Sequence, residues 1–248
     1  MKETYDIIRL ILSKREYYQR FSGEFYIEKA EKFKKYFPDR TADEERKDDE
    51  SKYDNYLELN IPMGCSRIGG PVVDLPDDIE YPEGYYFMAQ LNCAEIKPFD
   101  KIGLLPKEGF IYFFTRDYLD NGHVFYTPKG KKSLHRVTKE HEENYYSGKI
   151  IEKYKMEIET ISSKYKMENG KKEWDDFAGE EVSKIYGIYT NCQASEEEIL
   201  QFMENENRII LLQIGSDYAG EGCQSVFINK DDLMKKDFTK CIFEYNQS

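Results

Sequence analysis

Two short segments of one pattern, in which a glutamine stands between apolar residues, constrain the fold of this chain most. The first is Met88-Ala89-Gln90-Leu91 and the second is Leu211-Leu212-Gln213-Ile214. Neighbouring side chains of a β-strand point to opposite faces, so each glutamine faces away from the apolar residues beside it. A buried amide left unpaired costs about 1–3 kcal/mol. The pattern therefore predicts two buried strands whose glutamines either tie a nearby loop or line a cleft that reads a polar ligand or a bound peptide.

Each glutamine strand is followed by a glycine and then by a second apolar strand. Gly109 precedes the aromatic run 110–114, and Gly222 precedes the run 225–228. This echo indicates the duplication of a strand-loop-strand unit. It predicts two pseudo-repeats, at about 85–120 and 208–235, within one domain spanning 53–248.

The residues before that domain show a helical spacing of apolar side chains. Within 2–21 the apolar residues recur at steps of three and four, and a second run of this kind spans 26–37. The almost wholly charged segment 43–52 follows, so 1–52 is predicted to be a helical appendage. Residues 150–161 alternate apolar and charged side chains, which favours a strand and leaves a helix as the alternative. The predicted fold class is α+β, with a mixed, largely antiparallel sheet, an internal duplication and an N-terminal helical pair.

Charge and cysteine usage exclude several classes of function. The net charge of -12 repels phosphate backbones and anionic lipids, which argues against nucleic-acid and membrane partners and suits a basic protein partner. The five cysteines include no Cys-x-x-Cys pair, which argues against a disulfide framework and a zinc knuckle. No basic start with an apolar run opens the chain, and no stretch approaches ~18 apolar residues. We therefore expect a cytoplasmic protein.

The loop Ser66-Arg67-Ile68-Gly69-Gly70-Pro71 is the strongest candidate for a binding site. Two glycines let backbone N–H groups approach a ligand closely, and Arg67 can hold an anion or a carboxylate. The alternative is a tight turn in which Arg67 pairs with a local acid such as Asp74. Trp174, the single tryptophan, lies among acidic residues and is either a partner-binding anchor or a cap on the edge of the core.

No motif for catalysis or metal binding stands out. Cys65-Ser66 is the best nucleophile candidate, but no Gly-x-Ser-x-Gly elbow surrounds it. His141-Glu142-Glu143 lacks the second histidine of a zinc-binding helix. We predict no catalytic residue, no metal and no cofactor, and the residues favour a protein that is not an enzyme without deciding the point.

Several short motifs occur in a fixed order: the loop at 66–71, Phe87-Met88-Ala89-Gln90-Leu91-Asn92, the run 109–114 and Leu211-Leu212-Gln213-Ile214-Gly215-Ser216-Asp217. This order resembles the YwqG-like family of bacterial domains, whose function is unknown. The resemblance covers about 55–245 and implies an α+β fold with an internal duplication and no established activity. Asp217, at the end of the last motif, is a further candidate site residue. Some family members are encoded near secreted polymorphic toxins, which suggests an immunity role.

These observations lead to two expectations for function. The first is a non-enzymatic, cytoplasmic protein-binding module, specifically an immunity protein that neutralises a bacterial toxin. The alternative is a small-ligand sensor or an uncharacterised enzyme, with a cleft between the two repeats. The residues predicted to bind the partner or ligand are Ser66, Arg67, Gly69, Gly70, Gln90, Gln213, Asp217 and Trp174.

Overall fold

The computed structural model of the protein describes residues 4–14, 61–116, 121–138, 148–160, 165–168, 171–174, 181–191, 194, 196–219 and 222–246. The predicted second helix at 26–37 and the charged segment 43–52 lie outside these residues. The first helix predicted, at 2–21, falls partly within them.

Strands dominate the part of the chain that is described. In chain order they are β1 (Thr4–Leu12), β2 (Arg67–Ile68), β3 (Val72–Pro76), β4 (Tyr86–Asn92), β5 (Phe110–Thr115), β6 (Gly122–Thr127), β7 (Leu134–Thr138), β8 (Lys149–Thr160), β9 (Tyr165–Glu168), β10 (Lys171–Trp174), β11 (Lys184–Tyr186), β12 (Arg208–Ile214), β13 (Cys223–Asn229) and β14 (Ile242–Asn246).

The helices of the described residues are short. They are α1 (Cys93–Ile96), α2 (Glu196–Met203), α3 (Ser216–Ala219) and α4 (Lys230–Met234), with single 3-10 turns at Lys131–Ser133 and Phe238–Lys240. No helix in the described ranges is long and apolar enough to cross a membrane.

Ten strands form one sheet in the order β14-β13-β12-β11-β1-β8-β2-β4-β5-β6. Every ladder in this sheet is antiparallel. Two smaller pairs, β3–β7 and β9–β10, are antiparallel as well. The predicted α+β class is therefore wrong, because the fold is dominated by a sheet and its helices are single-turn or two-turn connections.

The centre of the sheet is the long pair β1–β8, which corrects the prediction of an N-terminal helical pair. β1 pairs with β8 along its whole length and with β11 at its middle. Ile7, Ile8 and Leu10 are all buried because both faces of a central strand are covered. An apolar run buried on both faces has no clear alternation, so its spacing also fits a helix. The strand predicted at 150–161 is confirmed as β8.

Two four-stranded arms extend from this central pair. The first arm is β2-β4-β5-β6 and the second is β11-β12-β13-β14. β8 lies beside the first arm, where the Ile151 amide donates to the Ser66 carbonyl at 3.0 Å, and β1 lies beside the second, where the Leu10 amide donates to the Ser183 carbonyl at 2.9 Å. β1 comes before the first arm in the chain but lies beside the second arm. β8 comes between the two arms in the chain but lies beside the first arm.

The arms fold towards each other around the main core. Phe113 of β5 and Val226 of β13 belong to one buried cluster. At the far ends of the arms, the Gln224 amide donates to the Thr115 hydroxyl at 2.9 Å, and a Cβ added to Gly122 would overlap the Phe243 ring. The outer face of the first arm packs against the β3–β7 pair, and that of the second packs against α2.

Candidate functional site

Arg67 lies at the centre of a buried network rather than at a surface. Its guanidinium forms an ion pair with Asp74 (Nη2 to Oδ2, 2.9 Å), and neither side chain has exposed surface. Its Nε donates to the Val72 carbonyl at 3.1 Å. Asp74 accepts two further hydrogen bonds, from Arg136 Nε at 2.9 Å and from the Gly64 amide at 2.7 Å. Arg67 therefore folds the 66–72 loop onto β3.

The surroundings of Asp74 keep its carboxylate charged. Burial alone would raise the pKa of Asp74, but the charge of Arg67, the hydrogen bonds from Arg136 and Gly64, and the charge of Arg136 together lower that pKa below its usual range. A buried carboxylate between two guanidinium groups is fully compensated, so it has no capacity left for a ligand cation.

Gln90 completes this network as a clamp. Its Nε2 donates to the Cys65 carbonyl at 2.9 Å, and its Oε1 accepts from the Asp74 amide at 2.9 Å. These bonds join β4 to the loop before β2 and to β3. Gln90 has no exposed surface. In this structure its amide is used by the protein and does not face a cleft.

The Ser66 hydroxyl is also hydrogen-bonded within the protein, to α1 and to the last residue of β4. Its hydroxyl donates to Glu95 Oε2 at 2.7 Å and accepts from the Asn92 amide at 2.9 Å. Gly69 and Gly70 have φ angles of 62° and 78°, and both are buried in the turn that leaves β2. The Gly69 amide donates to the Met88 carbonyl at 2.9 Å, so the loop binds its own sheet.

The second arm carries a matching set of contacts. The Ser183 hydroxyl donates to Asp217 Oδ1 at 2.7 Å and accepts from the Gly215 amide at 3.2 Å. Lys184 forms a buried ion pair with Glu159 at 2.6 Å. Gln213 donates to the Val182 carbonyl at 3.0 Å.

The predicted site residues thus fall into separate groups. Ser66, Arg67, Gly69, Gly70 and Gln90 come together in the first arm. Gln213 and Asp217 lie in the second arm, on the other side of the β1–β8 pair. Trp174 lies in β10, opposite Tyr165 of β9.

A groove with a volume of about 630 Å³ is formed by other residues. Its wall includes apolar side chains from both arms: Ile102 and Leu104 follow α1, whereas Met203 and Ile209 come from α2 and β12. Tyr5 of β1 and Tyr186 of β11 complete it. Among the predicted site residues whose side chains the structure describes, none lines this groove.

Residues 66–246 match the family model of DUF1963, a domain of unknown function. This chain belongs to the DUF1963 family. A search of curated proteins finds no match. The matched part of the DUF1963 domain contains both arms and β8, and β1 with Tyr5 lies outside it.

The rim of the groove in this DUF1963 protein carries charges of both signs. The acidic side chains are Asp6, Glu204 and Glu206, and the basic ones are Arg208 and Lys230. Burial raises the pKa of Tyr5, and the nearby Glu206 carboxylate raises it further. The Arg208 guanidinium lies over the Phe202 ring, 4.4 Å from its centroid, so one of the two cations is already engaged by an aromatic face.

Three of the thiols that the structure describes in this DUF1963 protein are poorly suited to nucleophilic catalysis. Cys65 and Cys93 are buried and Cys241 is half-buried, and none of them is in a disulfide. Burial raises the pKa of Cys65, and it raises the pKa of Cys93 and of Cys241 to about 12. A thiol that stays protonated near neutral pH is a weak nucleophile. In the described ranges, no three His, Cys, Asp or Glu side chains group as metal ligands.

Sequence reasoning did not identify the groove because its residues come from distant segments. Tyr5, Ile102, Tyr186 and Glu206 are brought together only by the order of the strands. One local signal was available, namely the polar turn Glu204-Asn205-Glu206-Asn207 directly before the buried strand β12. Loops that meet a rigid sheet often carry function.

Proposed function

We propose that this DUF1963 protein is a non-enzymatic, cytoplasmic protein-binding module, and specifically an immunity protein that neutralises a bacterial toxin with a basic surface. The observation that carries the proposal is the groove between the two arms, which combines an apolar wall with three carboxylates at its rim. An apolar centre within a polar rim is the usual anatomy of a protein-binding surface.

The net charge and the thiol chemistry support this function. The net charge of -12 accelerates encounter with a basic partner and disfavours anionic ones. Protonated, buried thiols favour binding over covalent catalysis. The more specific YwqG-like assignment is part of this proposal, since the toxin link is an implication of that resemblance.

Co-expression with a toxin encoded beside the gene tests the proposal. We expect the protein to restore growth of cells that express the toxin, and to co-purify with the toxin as a complex that dissociates at high salt. Loss of both effects, with the protein folded and expressed, would contradict the immunity function.

A small-ligand sensor is the second candidate, and the size of the groove favours it. Its volume of about 630 Å³ lies within the ~300–1,000 Å³ that small-molecule sites occupy. A metabolite panel screened by thermal shift tests this candidate. A ligand that raises the Tm of the unaltered protein, and not that of an Ile102→Trp variant with a filled groove, would identify a sensor.

A further inference from the structure

The turns that follow β2 and β11 are counterparts in the two arms. Ser66 and Ser183 each bond a carboxylate through their hydroxyl at 2.7 Å, and each accepts a backbone bond from the neighbouring central strand. The residue after each serine, Arg67 or Lys184, is a buried cation. Arg67 lies opposite Gln90 and Lys184 lies opposite Gln213. Residues 66–70 and 183–187 therefore occupy equivalent places.

One position differs between these turns in a way that points to function. Gly69 and Gly70 have φ angles of 62° and 78°, and at the equivalent positions Tyr186 and Gly187 have φ angles of 66° and 94°. Residues other than glycine rarely adopt this left-handed conformation, because their Cβ approaches the backbone too closely. The first arm has a glycine at this position, which adopts the left-handed conformation without strain. The second arm has Tyr186 there, whose backbone is strained in the same conformation. Such strain persists where a side chain has a task.

The Tyr186 side chain connects the two arms at the groove. Its hydroxyl donates to Asp100 Oδ1 at 3.1 Å, and the same carboxylate accepts from the amides of Gly103 and Leu105, each at 2.9 Å. These bonds hold the segment that carries Ile102 against the turn of β11. Tyr186 lines the groove with Ile102, although only 3% of its surface is exposed.

The charges at the groove favour a cation as its occupant. Within the described residues, the carboxylates of Asp6, Glu204 and Glu206 have no ion-pair partner. Ile102 is 44% exposed in the same groove, so an apolar surface lies beside three carboxylates that outnumber the two cations of the lining. A peptide that places an apolar side chain next to a lysine or arginine complements both features.

We propose that the groove binds a peptide segment of a basic protein, in which an apolar side chain packs on Ile102 against the small exposed edge of Tyr186 and an adjacent lysine or arginine lies against Glu204 and Glu206. Tyr186 is the specificity-determining residue, because its strained turn places the ring in the lining of the groove together with Ile102. This inference rests on the proposed protein-binding function and specifies the chemistry of the partner.

The experiment uses the full chain and two labelled peptides, one of alternating lysine and leucine and one of alternating glutamate and leucine. We expect the lysine peptide to bind and the glutamate peptide to bind at least tenfold more weakly. Hydrogen exchange on the complex should show protection at 102–105 and 203–209. The Glu204→Gln/Glu206→Gln variant should bind the lysine peptide about tenfold more weakly, whereas Glu80→Gln/Glu83→Gln, with the same change in net charge, should not change affinity.

Variants of the apolar wall test the role of Tyr186. Tyr186→Phe keeps the ring and loses the bond to Asp100, so it should weaken binding less than Tyr186→Gly, which removes the ring and should lose about tenfold. If Tyr186→Gly does not fold, Ile102→Ser replaces it, since the Ile102 side chain is already 44% exposed, with the similarly exposed Ile242→Ser on β14 as the matched control. Equal affinity of the groove variants and their controls would overturn the proposal.

The two proposals fail in different ways. If the toxin is neutralised equally well by the groove variants, the immunity function stands and the groove is not its site. If the lysine peptide binds in the groove but no toxin is neutralised, the recognition of a basic peptide stands and the immunity function is wrong.

Discussion

Arg67 shows at the scale of a single residue how this fold uses a buried charge. Its side chain is fully enclosed, and it joins the loop after β2 to Asp74 on β3. The sequence allowed either a ligand-binding arginine or a turn in which Arg67 pairs with Asp74, and the structure shows that pair.

Arg67→Met is expected to destabilise the protein strongly. The change leaves Asp74 with one guanidinium partner in place of two, and removing one member of a buried ion pair typically costs about 3–5 kcal/mol. Urea unfolding measures the free energy. Lys129→Ala is the control, because the Lys129–Asp78 pair is exposed on both sides and such pairs contribute about 1 kcal/mol or less. Equal losses in the two variants would contradict a structural role for Arg67.

Asp74 should contribute to unfolding in acid. Its pKa in the folded protein is below the ordinary value of 3.8, so the unfolded chain takes up the proton first as the pH falls. The stabilisation is complete above that ordinary value and is lost as the pH falls from it through the pKa of the folded state. Asp74→Asn should therefore be less stable near neutral pH and should show a smaller further loss below about pH 4. Denaturation curves across that pH range measure both effects. If the free energy of unfolding fell as steeply with pH in Asp74→Asn as in the unaltered protein, the expectation would be contradicted.

At the scale of elements, β1 and β8 bind the two arms together. Each is paired on both sides, whereas β6 and β14 are paired on one side only within the described sheet. We expect the amides of β1 and β8 to exchange with solvent more slowly than those of β6, because opening a central strand disrupts two ladders. Hydrogen exchange followed by mass spectrometry measures this. Exchange of β1 as fast as that of β6 would show that β1 is a loosely attached strand.

Sequence patterns predicted elements better than their arrangement. The strands around Gln90 and Gln213 and the aromatic run at β5 were predicted, because strands flanked by turn residues leave a local signal. β1 was assigned to a helix because a strand buried on both faces has no alternation. The buried Arg67–Asp74 pair was one of two alternatives, whereas the groove depends on strand order, which no local pattern contains.

At the scale of the whole molecule, the approach of the two arms at their far ends depends on a small residue. Gly122→Ala should lower the Tm, because the added Cβ would overlap the Phe243 ring and the Phe114 carbonyl. Overpacking of this kind costs about 1–3 kcal/mol. Gly130→Ala is the matched control, since no atom lies within 4 Å of its added Cβ. Equal Tm values of the two variants would contradict close contact between β6 and β14.

The position of β1 between β8 and β11 has a consequence for synthesis on the ribosome. Ile8 pairs with Met156 and with Ile185, so β1 can pair only after segments that are synthesised much later have emerged. At about 5–20 residues per second, that delay is on the order of ten to thirty seconds. During this time the apolar segment Ile7-Ile8-Arg9-Leu10-Ile11-Leu12 has none of its sheet partners. Nascent chains of this protein should therefore depend on chaperones that hold β1 until β8 has emerged.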